Sequence, residues 1–186
     1  MGLAIYYRGC LDHSGSVDRF CKETADMAKD LGWKYRNINE CINILDINNI
    51  ILKGIVMYPH PVIEPLSFVV DTTGRLRNYF VLKNMKDIEV NDFWHFVITQ
   101  SAPIQIHMSI IRLLKDLKKK YISNLNVYDD GEYWEREDKI LLKDRVAFYN
   151  REMQVFDNVK KEKSKQNKDT PSFIYKIEKL IKDRFR

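Results

Sequence analysis

Between Asp129 and Asp138 the chain places six carboxylates in ten residues: Asp129, Asp130, Glu132, Glu135, Glu137 and Asp138, interleaved with Tyr133 and Trp134. Clustered carboxylates suit a hard divalent cation such as Mg²⁺ or Ca²⁺, which takes oxygen ligands, and would support a metal-dependent hydrolase or nuclease. The same stretch could receive a cationic partner, with the aromatic rings adding a cation–π surface. Its spacing does not fit the Asp-x-Asp-x-Asp-Gly calcium loop. A plainer reading is a surface turn entering a helix, whose positive N-terminal dipole favours Glu135, Glu137 and Asp138.

The four histidines, His13, His60, His95 and His107, form no pair spaced to grip one metal on a helix. Cys10, His13 and Cys21 could approach one another, but a tetrahedral zinc site needs a fourth ligand and none is apparent. No metal or cofactor is therefore expected. His95 lies in an apolar strand and His107 early in a helix; both read as hydrogen-bonded core histidines ahead of general bases. No Gly-x-Ser-x-Gly, Walker A or Gly-x-Gly-x₂-Gly motif is present, which argues against the common nucleotide enzymes. The Tyr58-Pro59-His60-Pro61 loop combines an aromatic ring, an imidazole and a stiff backbone, which suits recognition. The expected binding residues are Tyr58, His60, Tyr128, Asp130, Glu132, Tyr133, Trp134 and Glu135.

The elements that must position these residues follow from periodicity. Leu3–Tyr7 reads as a strand, and Val17–Leu31 as an amphipathic helix capped by Ser16 and ended by Gly32-Trp33. Trp33–Asn49 carries a poor signal: two alternating aromatics, many asparagines and one helical turn near Cys41–Leu45. Ile50–Tyr58 is a clear strand. Ser67–Asp71 and Arg75–Val81 flank Thr72-Thr73-Gly74 as a hairpin. Phe93–Thr99 is apolar on both alternating faces, as in a strand covered on two sides. A helix over 102–122 capped by Ser101, a strand at Leu125–Tyr128 and a helix over 139–159 complete the body. The expected fold is α+β, a mostly antiparallel sheet with two long helices on one face. Its β-α-β4-α order resembles that of the TATA-binding-protein-like folds over the first two-thirds of the chain, a likeness of topology that implies no function.

Charge divides the chain. Residues 1–156 carry 21 basic and 21 acidic side chains, whereas 157–186 carry 10 and 5, so the net +5 belongs to the end of the chain. The expected organisation is one domain over 1–156, a Lys-rich linker over 157–169 and a basic amphipathic helix over 170–186. No apolar run approaches the ~20 residues of a membrane span. The first residues lack an export pattern, and three irregularly spaced cysteines suit a reducing cytoplasm. These features point to a non-catalytic binding or protein-interaction module. The alternatives are the metal-dependent hydrolase and nucleic-acid binding through the tail. The final helix could serve a protein partner or a homodimer; the neutral body disfavours nucleic acid there.

Overall fold

The computed structural model describes residues 2–44, 47–84 and 94–165, with backbone alone at 43–44, 47–48, 84 and 156–165. In chain order the elements are β1 (Ala4–Arg8), α1 (Val17–Asp30), β2 (Lys34–Ile44), β3 (Ile47–Tyr58), β4 (Leu66–Val70) and β5 (Leu76–Arg77). There follow α2 (Tyr79–Asn84), β6 (His95–Ile98), α3 (Ile104–Lys120), β7 (Asn126–Asp129), α4 (Tyr133–Arg136) and α5 (Lys139–Lys165). Among the described residues every strand pairing is antiparallel, in an α+β fold. Residues 1–149 make one compact unit and 150–186 a second. Of the second, the described part is the continuation of α5 to Lys165. The expected helix over 170–186 lies outside the described residues.

The strands divide into two sheets, ordered β6-β1-β7 and β2-β3-β4-β5. The first strand of the chain is therefore the middle of a three-stranded sheet. Its inward residues Leu3, Ile5 and Tyr7 join one core with Phe20 and Ala28 of α1, Ile110, Leu114 and Leu117 of α3, and Ile55, Met57 and Phe68 of the second sheet. Each large side chain so covered contributes about 1.5–3 kcal/mol. The far face of the four-stranded sheet forms a smaller cluster, Ile38, Leu52, Val56 and Val69, under Tyr79 of α2.

Tyr7 and its neighbours join the two sheets. β5 pairs with β4 only at Val69 and Val70, leaving the β4 edge open at Ser67. The Tyr7 hydroxyl fills that gap, donating to the Ser67 carbonyl at 3.1 Å and accepting the Ser67 N–H at 3.2 Å. Its ring stacks on Phe68 at 5.4 Å and on His95 at 4.9 Å between centroids. Leu11 N–H to Gly74 C=O and Leu76 N–H to Gly9 C=O extend the seam, and the Glu64 carboxylate accepts the Ile98 N–H.

Local endings follow the expected chemistry in part. Gly32 at φ 69° ends α1 with Trp33 N–H on the Ala28 carbonyl, a Schellman ending, and Gly74 at φ 85° closes the β4–β5 turn. The Ser16 hydroxyl does not cap α1; it donates to the His13 carbonyl. α3 begins after Pro103 with no side-chain cap, so Ser101 does not serve there.

Three expectations are corrected. Residues 34–44 form a long edge strand, not a loop, because β3 supplies a complete ladder that local propensity does not reveal. The second hairpin arm is two residues long, and Tyr79–Asn84 turns into a helix that covers the small cluster. The strand over 95–98 is covered on one side only: His95 and Val97 are buried while Phe96 is exposed. Among the described residues no helix is long and apolar enough to cross a membrane.

Replacing Tyr7 by Phe should lower stability by about 2 kcal/mol, since it strips both Ser67 backbone groups of their partner inside the core. Urea unfolding checks this against Tyr128→Phe, expected to lie within about 0.5 kcal/mol of the parent.

Candidate recognition surface

Alternation along β1 sends Leu3, Ile5 and Tyr7 inward and Tyr6 and Arg8 outward. The register then sets Phe96 of β6 and Tyr128 of β7 directly opposite Tyr6, one on each side. The three rings make a row across the sheet, with centroids 6.2 Å (Tyr6–Phe96) and 5.9 Å (Tyr6–Tyr128) apart and planes tilted by 39° and 48°. Phe96 is 50% exposed and Tyr128 55%. One step along, Arg8 faces Asn126, and its guanidinium lies 4.5 Å from the centre of the Trp94 ring. At the other end of the row Ala4 faces Ile98, and Asp130 turns its carboxylate onto the Ala4 N–H at 3.2 Å.

Exposed aromatic rings side by side on a sheet forgo burial that folding would otherwise exploit. Contiguous exposed apolar patches are one of the marks of an interaction site. The face mixes Tyr, Phe, Trp and Arg, and among the described strand residues Arg8 is its one cation.

Beneath one edge of this sheet is a buried polar cluster. The Asp129 carboxylate accepts N–H bonds from Gly131 at 2.8 Å, Tyr133 at 2.8 Å and Trp134 at 3.0 Å. It also lies 3.1 Å from His107 Nε2, while His107 Nδ1 lies 2.7 Å from Thr99 Oγ1. A carboxylate can only accept, so Nε2 carries the proton and Thr99 faces Nδ1. Hydroxyl, imidazole and carboxylate in line have the order of a nucleophile triad. Thr99, His107 and Asp129 are 3%, 1% and 4% exposed, so no substrate reaches the hydroxyl. The cluster instead fixes the turn that carries α4. Burial raises the Asp129 pKa, but the His107 and backbone hydrogen bonds outweigh it and hold the carboxyl below its usual range.

The expected binding residues do not form one site. Tyr58 is exposed and His60 half-buried where β3 leaves its sheet, apart from Tyr128 on the aromatic row. Tyr133 is buried against His107, and Trp134 lies under the Lys115 ammonium. Glu132 pairs with Arg136 and Arg145, Glu137 with Lys115, and Asp138 accepts the Ile140 and Leu141 N–H groups at the start of α5. Glu135 is exposed. Backbone reversals at Glu132 (φ 57°) and Glu137 (φ 52°) fan the carboxylates apart. Among the described residues no three His, Cys, Asp or Glu side chains gather where a metal could be held.

Tyr6, Arg8, Trp94 and Phe96 stand on this face in addition to the expected Tyr128. Each reads locally as a strand residue; only the pairing of β1 with β6 and β7 brings them together. The signal in the sequence is thin: Trp94 and Phe96 alternate, but Tyr6 and Tyr7 are adjacent, so neither run by itself says which ring faces out. No family model, curated protein or solved structure matches this chain.

Two buried groups give the protein an acid-sensitive profile. Burial pushes the His95 imidazole down to about 4, against a weaker opposing backbone bond to Leu76. The unfolded imidazole takes up its proton near pH 6.5, so stability is full above that value and falls by on the order of 3 kcal/mol as pH drops toward 4. His95→Gln should remove that slope in pH-dependent urea unfolding. The Asp129 contribution is lost further down, below about pH 4, as the carboxyl protonates, and Asp129→Asn should abolish this lower step while costing about 3 kcal/mol at neutral pH.

Proposed function

We propose that this chain is a non-catalytic protein-interaction module that engages its partner through the open face of the β6-β1-β7 sheet. The observation carrying the reading is the row Phe96–Tyr6–Tyr128, held in register by two strand pairings and exposed at both ends. Tyr, Trp and Arg are the side chains that most often dominate interface energetics, and Arg8 on Trp94 adds two more of them beside the row. A nucleic-acid surface would need several cations to meet the phosphates, whereas these strands offer one. The hydrolase reading has less support, because the acidic residues diverge onto separate partners.

A photo-crosslinking amino acid placed at position 96 or 128 should trap a discrete partner in the native host, while one at exposed Ile140 should not. With that partner purified, Phe96→Ala and Tyr128→Ala should each weaken binding by about 2 kcal/mol, or roughly 30-fold, without lowering the melting temperature. Equal trapping at position 140, or binding unchanged by both substitutions, would refute the assignment.

A further inference from the structure

A second feature lies elsewhere in the molecule, between α1 and the β2–β3 ribbon. There the row of β2 that faces the helix is Tyr35, Asn37 and Asn39, opposite Met57, Ile55 and Lys53 of β3. Met57 and Ile55 are fully buried on this face, so continued packing of the helix would call for apolar residues on β2 as well. Asparagines stand there instead, both exposed, and among the described residues neither carboxamide forms a hydrogen bond. The result is an open cleft of about 400 Å³, whose walls include Cys21, Lys22, Asp26 and Lys29 from the helix and Asn37, Asn39 and Lys53 from the ribbon.

Three ammonium groups line the cleft against one carboxylate, Asp26. Its charge is net positive by one, because Asp18 also stands at its rim as the partner of Lys53. Lys29 is bonded to Asp26 at 2.8 Å and Lys53 to Asp18, and both bonds hold the ammonium groups above their ordinary range. These pairs are solvent-exposed and cost little to exchange for another anion. Lys22 has no ion-pair partner among the described residues. The Tyr35 ring lies 6.0 Å from the Lys29 ammonium and adds an aromatic wall. Ammonium groups with free amide donors beside them match the oxygens of a phosphate, and the volume suits a small molecule.

The geometry points to a binding site for a small phosphate-bearing molecule in the cleft formed by Lys22, Lys29, Lys53, Asn37 and Asn39. This site is independent of the aromatic face and involves no covalent step. Amide-resolved NMR titration of the full chain with pyrophosphate, ADP and adenosine tests it. Pyrophosphate or ADP should shift the resonances of Cys21, Asn37, Asn39 and Gly54 with saturation below millimolar concentration. ADP binding tighter than pyrophosphate would identify a nucleotide as the source of the phosphate, and equal binding a bare phosphate compound. The double variant Lys22→Glu/Asn37→Asp breaks no bond within the protein; it should keep its melting temperature and bind at least about tenfold more weakly. Lys22→Gln provides a milder variant, expected to bind more weakly than the parent and more tightly than the double one. Shifts absent at millimolar pyrophosphate and ADP, shifts centred on Lys118–Lys120 instead, adenosine binding as well as ADP, or full affinity in the double variant would each overturn the proposal.

Discussion

Tyr7 must meet two demands at once: its ring belongs to the core, and its hydroxyl must not be left there unpaired. Both are met because β5 stops short and leaves the Ser67 backbone groups open on the edge of β4. Burial drives the phenol far above its usual pKa, so it stays protonated and can donate as well as accept. A side chain thus takes the place of a missing strand, and the two sheets share a single core through it. The stacking of Tyr7 on Phe68 and His95 holds the ring in place.

The inward orientation of Tyr7 dictates the outward orientation of Tyr6 and Arg8, since neighbouring residues of a strand point to opposite faces. A slip of one residue in β1 would bury Tyr6 and expose Tyr7, at the cost of every contact just described. The aromatic row is therefore held in place from beneath. Asp129 steadies the other border, because its carboxylate organises the turn after β7 and the short helix α4. The aromatic row rests on strands and not on loops, a placement that fixes side chains closely.

The parts of the fold legible in the sequence are those decided locally. α1 announces itself through its apolar spacing and the Gly32-Trp33 ending, and the Asp71–Gly74 turn through its glycine. β2 was illegible because its helix-facing row is Tyr35, Asn37 and Asn39, a pattern that imitates a loop; a ladder with β3 makes it a strand. The aromatic face was illegible for a related reason. Tyr6, Phe96 and Tyr128 lie far apart in the chain, and β1 selects its neighbours through core packing that no short window displays. The acidic stretch misled in the opposite direction. Six carboxylates close in sequence are separated in space by two left-handed residues, and one of them, Asp129, is a buried structural anchor.

One face of the β6-β1-β7 sheet is locked into the core and the other is open. Hydroxyl-radical footprinting of the intact protein, read residue by residue in a mass spectrometer, tests that division directly. Phe96 and Tyr128 should oxidise rapidly, with Tyr7 and Tyr133 protected throughout. Protection of Phe96 and Tyr128 equal to that of Tyr7 would show the outer face to be covered within the chain itself, and would contradict its proposed role in recognition.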